Sequence, residues 1–203
     1  IAPHWSWGTE MVGKTVPVQV YSDYDEAELF VNGKSQGRIK KHTAAADPAK
    51  VGKATYTPDL DRYRLRWMNV KYEPGEIRVV AYGKDGKPAM EKSVKTAGAP
   101  AQLLLSADRK TISADGNDLC YVTVTMADKD GNPCPLASDQ LEFTVEGEGT
   151  FKCVCNGDAT SLEPFTQPRM KLFNGQLVVT VQSTADKGTM TLKVSRPATP
   201  AVK

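Results

Sequence analysis

Along most of this chain apolar and polar residues alternate with period two, and no window carries the i, i+3, i+4, i+7 apolar stripe of an amphipathic helix. Side chains on a strand point alternately to its two faces, so this pattern predicts half-buried β-strands. Val16, Val18 and Val20 share one face, as do Leu29 and Val31, which run into Asn32-Gly33, a dipeptide suited to the positive φ angles of a two-residue hairpin. Tyr63, Leu65 and Trp67 alternate with Arg62, Arg64 and Arg66, which predicts a core-facing row and arginines in water. Ile77, Val79 and Ala81 follow a turn at Glu73-Pro74-Gly75. Further on, Cys120, Val122, Val124 and Met126 form one row, and Tyr121, Thr123 and Thr125 the other. Leu141, Phe143 and Val145 alternate again, and strands are expected around Phe151 to Cys155, Met170 to Phe173, Leu177 to Val181 and Met190 to Val194. Asn174-Gly175 and Lys187-Gly188 read as hairpin turns between them.

Two segments interrupt the alternation. His42 to Lys53, rich in Ala, Lys and Asp, is expected to be a long surface loop inside a first domain, with at most one helical turn. At Thr96-Ala97-Gly98-Ala99-Pro100, small residues and a proline separate two alternating regions as a short interdomain connection does. The expected organisation is all-β: two tandem immunoglobulin-like (fibronectin III-like) antiparallel β-sandwiches, residues 1–97 and 98–203, because short strands with Gly-containing turns at this density suit that fold.

A chain of 203 residues with 40% hydrophobic and 25% charged composition suffices for two cores of this size. Its 26 basic and 24 acidic side chains leave a net charge of +2, too weak a field to hold a nucleic acid. No run approaches the ~20 apolar residues of a membrane-spanning helix, so no membrane insertion is expected. The start lacks an initiator Met and an apolar signal segment, which reads as a chain cut or processed upstream of Ile1.

Candidate chemistry is sparse. Two histidines, His4 and His42, give histidine-based catalysis little to draw on, and no metal site or cofactor is expected. Asp128-Lys129-Asp130-Gly131-Asn132 departs from a calcium-binding loop and reads as a β-turn, as do Gly147-Glu148-Gly149 and Asn156-Gly157-Asp158. Cys120, Cys134, Cys153 and Cys155 lack C-x-x-C spacing; Cys153 and Cys155 share a face with Phe151 if the strand is regular and are expected to be buried free thiols. A retaining glycosidase needs two carboxyl groups about 5 Å apart, one of them kept protonated, and no pair here is nominated, so no catalytic residue is assigned. Trp5 and Trp7 are candidate carbohydrate-binding residues, because indole faces stack on sugar rings; the competing reading is that they cover a sandwich edge or pack on another domain. Trp67 lies on a core row, and Asp158 and Arg169 are read as solvated groups on a polar surface between loops.

The run Pro3-His4-Trp5-Ser6-Trp7-Gly8, then Val16 to Tyr21, Ala27-Glu28-Leu29-Phe30-Val31-Asn32-Gly33-Lys34-Ser35, and Tyr63 to Trp67 followed by Tyr72-Glu73-Pro74-Gly75-Glu76, resembles the segment after the catalytic barrel in bacterial family 2 β-galactosidases. Lys95 to Pro100, Ala107-Asp108-Arg109, the Asp128 turn, Asn156-Gly157-Asp158 and Phe173-Asn174-Gly175 resemble the bacterial immunoglobulin-like domain that closes such enzymes. The resemblance implies accessory domains whose partner is a (β/α)₈ barrel carrying the two catalytic glutamates. It also implies a periplasmic, secreted or cell-surface location. The rival readings are a carbohydrate-binding module using Trp5 and Trp7, and adhesin or spacer repeats.

Overall fold

The computed structural model describes residues 1–41 and 61–197; the loop expected at His42 to Lys53 lies outside the described residues. The chain is all-β and forms two compact units, Ile1–Thr96 and Ala97–Lys203.

In the first unit, β1 (Thr15–Tyr21) pairs with β4 (Arg64–Lys71), while β2 (Glu26–Val31), β3 (Lys34–Lys40), β5 (Glu76–Tyr82) and β6 (Pro88–Lys95) form a second antiparallel sheet in the order β3-β2-β5-β6. The core between them holds Val16, Val18 and Val20, Leu29 and Val31, Leu65 and Trp67, and Ile77 and Val79, the rows that alternation predicts. Asn32 and Gly33 adopt φ of 47° and 79° and join β2 to β3 as a tight hairpin. Pro17 sits where the β1–β4 register shifts: Val16 faces Val70 but Val18 faces Trp67, so β4 carries an extra residue. A proline has no N–H for the ladder, and the bulge accommodates it. That bulge also lets Trp67 and Val70, three apart, both turn inward.

Two expectations for this unit fail. Tyr63 precedes β4 and is 61% exposed rather than on the core row. Arg64 and Arg66 do not face open water; their side chains are only 11% and 19% exposed and bond the Asp61 carboxylate. Pairing with an acid lets a guanidinium lie half-buried along a sheet, with its stem on apolar surface.

In the second unit, β7 (Gln102–Ala107), β8 (Leu119–Ala127), β10 (Gly149–Cys155) and β12 (Gln176–Ser183) form one sheet in the order β10-β12-β8-β7. The opposing sheet is β9 (Gln140–Gly147), β11 (Arg169–Lys171) and β13 (Met190–Ser195), in the order β11-β9-β13. Cys120, Val122, Val124 and Met126 pack against Leu141, Phe143, Met170 and Leu172 between the sheets. Two connections change sheets. Asn174 and Gly175 (φ 51° and 73°) form a tight turn closed by Phe173 and Gln176, but β11 and β12 lie in opposite sheets. The segment containing Lys187-Gly188 likewise carries the chain from β12 to β13 across the sandwich, so it is not the expected hairpin turn.

The cysteine row is also corrected. Opposite Phe151 stands Val181, and opposite Cys153 stands Thr180, so one extra residue enters β10 between them. After this bulge the inward position passes to Val154, which is fully buried; Cys153 is partly exposed and Cys155 exposed, while Cys120 and Cys134 are buried. All four thiols are free.

Candidate functional site

Two places collect the residues that sequence reasoning singled out. In the first unit, Trp5 has no exposed surface and Trp7 is partly buried. Their rings and that of Tyr72 contact one another edge-on, with centroids 5.1–5.6 Å apart, and His4 tilts over Trp7 at 4.7 Å. The Trp5 indole N–H donates to the Glu73 carbonyl at 2.9 Å, and the Tyr72 hydroxyl both accepts from the Trp7 N–H and donates to the Trp7 carbonyl. Burial pushes the His4 pKa down, favouring the neutral ring, whose Nδ1 accepts from the Ser6 N–H. Trp5 therefore has no free face for a sugar, whereas Trp7 keeps part of its surface exposed.

The second place is a cleft of about 610 Å³ in the second unit. Its lining includes both Asp158 and Arg169, with Asn156, Glu163, Lys171 and Phe173. Strand β11 pairs with β9 along one edge; the loop from β10 closes the other with side chains instead of a strand. Asn156 Nδ2 donates to the Lys171 carbonyl at 2.9 Å, and the Glu163 carboxylate accepts from the Lys171 N–H at 3.3 and 3.4 Å. The loop is braced internally as well. Asp158 accepts from the N–H and hydroxyl of Thr160, which holds its carboxyl below the ordinary aspartate range, and Val154 N–H donates to the Phe165 carbonyl. Sequence reasoning picked out Asp158 and Arg169 but missed Asn156, Glu163 and Lys171, because only the fold brings the loop beside β11.

Seven carboxyls of the described residues are held in the charged form by their neighbours. Glu26, Glu28, Asp108, Asp115, Asp118, Asp128 and Asp158 all have pKa values lowered by hydrogen bonds or nearby arginines. Such groups stay ionised at neutral pH and act as acceptors, Glu26 and Glu28 across the β3-β2-β5 sheet and the aspartates within turns and loops. Asp128, 3% exposed, is the fullest case: it accepts from the N–H groups of Gly98, Asp130 and Asn132 and from the Asn132 amide, and so ties the start of the second unit to the turn after β8. Among the described residues, no three His, Cys, Asp or Glu side chains gather as a metal-binding group.

Comparison with known proteins gives this architecture a family. Residues 103–203 match the glycoside hydrolase family 2 C-terminal domain 5, and residues 13–90 match a domain of unknown function. A β-galactosidase of Bacteroides ovatus is 40% identical over 187 residues, 92% of this chain. The chain belongs to the C-terminal region of glycoside hydrolase family 2. It spans only 19% of the length of that family 2 relative. A β-glucuronidase of Formosa agariphila is 26% identical over 201 residues, 97% of this chain and 18% of its own length. The crystal structure of a β-glycosidase from Bacteroides vulgatus superposes with a TM-score of 0.79 at 32% identity, over 97% of this family 2 chain and 23% of the other.

Proposed function

We propose that this chain is the non-catalytic, accessory C-terminal part of a bacterial family 2 glycoside hydrolase of the β-galactosidase type, secreted or periplasmic, with the chemistry carried by a barrel elsewhere in the protein. The observation that carries this reading is 40% identity over 92% of the chain to a β-galactosidase of which it spans 19%. In this reading the partner is the catalytic barrel, and the exposed part of Trp7 is a surface that the barrel covers.

The test is hydrolysis of an aryl β-D-galactoside by the purified 203-residue chain and by the full-length protein. The chain alone is expected to be inactive and the full-length protein active, with the matched β-D-glucuronide cleaved more slowly. Turnover by the chain alone sinks the accessory assignment; preference for the glucuronide sinks the galactosidase assignment.

A further inference from the structure

The cleft beside β11 contains two cations, Arg169 and Lys171, that join no ion pair among the described residues. Arg169 and Lys171 are two apart, so they project to one outward face of β11, either side of the fully buried Met170, and both are exposed. The ion pairs of the second unit use other cations: Arg109, Lys129, Lys193 and Arg196. Glu142 stands opposite Arg169 in the ladder, yet the two form no ion pair among those described. The acids of the cleft, in contrast, are already engaged, Asp158 by Thr160 and Glu163 by the main chain of β11. These bonds leave both carboxylates charged and equal in number to Arg169 and Lys171, but hold each of them to a fixed partner, whereas the two cationic side chains have no ion-pair partner among the described residues.

The remaining walls suit a hydroxylated ring. Gln140 and Gln167 bring amides to the lining, and Phe173, 39% exposed, offers an aromatic surface at its rim. The loop that forms one wall is held by the bonds of Asn156, Asp158 and Glu163, so binding would order little chain. A planar guanidinium matches a carboxylate with two parallel N–H···O bonds, which favours a carboxylate over a spherical anion.

We propose that this cleft binds an acidic saccharide, with a uronate carboxylate held by Arg169 beside Lys171, ring hydroxyls meeting Gln140 and Gln167, and an apolar ring face against Phe173. This site goes beyond the accessory role and stands independently of it, since it needs only the second unit's own residues.

The experiment is an amide chemical-shift titration of the 203-residue chain with tri-galacturonate, using galactotriose as the neutral match. Saturable shifts confined to residues 138–140 and 156–173 are expected, with Kd about 1 mM or tighter at low salt. Galactotriose and the Arg169→Gln variant are each expected to bind about tenfold more weakly, the cost of losing a charged hydrogen-bonding pair. Arg169 is exposed, so this variant should keep the parent's melting temperature; the comparison of the two trisaccharides on the unaltered chain decides the matter even if it does not. Absence of saturable shifts at about 10 mM, shifts mapping elsewhere, or equal binding of the acidic and neutral trisaccharides would overturn the proposal.

Discussion

The indole N–H of Trp5 donates to the carbonyl of Glu73, 68 residues away in sequence, at 2.9 Å. This bond and the edge-on packing of Trp5 on Tyr72 fasten the leading segment of the first unit to the turn before β5. Thr96 completes the tie, its hydroxyl donating to the Trp5 carbonyl while accepting from the Gly75 N–H. Trp5→Ala is expected to cost about 3–5 kcal/mol, because a fully buried indole leaves a cavity. Trp5→Phe keeps most of the packing and should cost less, about 1 kcal/mol of it from the lost hydrogen bond. Urea denaturation followed by fluorescence and circular dichroism checks both, and equal costs would show that the bond, not the packing, dominates.

Gly175 and Gly131 separate backbone strain from steric overlap. Both have positive φ, 73° and 84°, but a Cβ on Gly175 would stand 2.2 Å from the Cys134 carbonyl oxygen, whereas one on Gly131 would meet nothing within 4 Å. Gly131→Ala should therefore cost only the left-handed penalty, about 1–2 kcal/mol. Gly175→Ala should cost clearly more, since main chain must shift as well; similar melting temperatures for the two variants would contradict this.

Acid should weaken the second unit through Asp128. Hydrogen bonds from Asn132 and Gly98 hold its folded pKa far below the ordinary value of 3.8. The unfolded chain then takes up a proton first as pH falls, so the stabilisation is complete above that value and is lost progressively below about pH 4. Asp128→Asn should lower the melting temperature at pH 7 by several degrees and reduce its fall between pH 5 and pH 3 relative to the parent. Parallel melting curves across that range would count against the assignment.

Thiol reactivity should follow the β10 bulge. In the native chain Cys155 is expected to react first with a disulfide reagent, Cys153 more slowly, and buried Cys120 and Cys134 only on unfolding, their thiols shifted up in pKa by burial. Cys155→Ser should remove the fast phase; fast labelling of Cys120 instead would contradict the placement.

Strands with one face on a core were legible from the alternation itself, as at Val16 to Val20 and Cys120 to Met126. Strands β6 and β7 were not, because both are sheet-edge strands with little burial on either face, and a strand without a buried row has no period to read. Arg64 and Arg66 were misplaced for a related reason: alternation names the face but not whether a partner such as Asp61 covers it.

By itself, the amino-acid order determined the β class, the core rows and the tight turns at Asn32-Gly33 and Asn174-Gly175, since side-chain period and positive-φ preference are local properties. Only the tertiary structure decided that Trp5 is enclosed, that Cys155 faces outward, and that Asn156, Glu163 and Arg169 meet beside β11. Each of these depends on contacts between segments distant in sequence: Trp5 meets Tyr72 and Glu73, one extra residue in β10 turns the following side chains over, and a loop reaches β11 only once the sheets have packed.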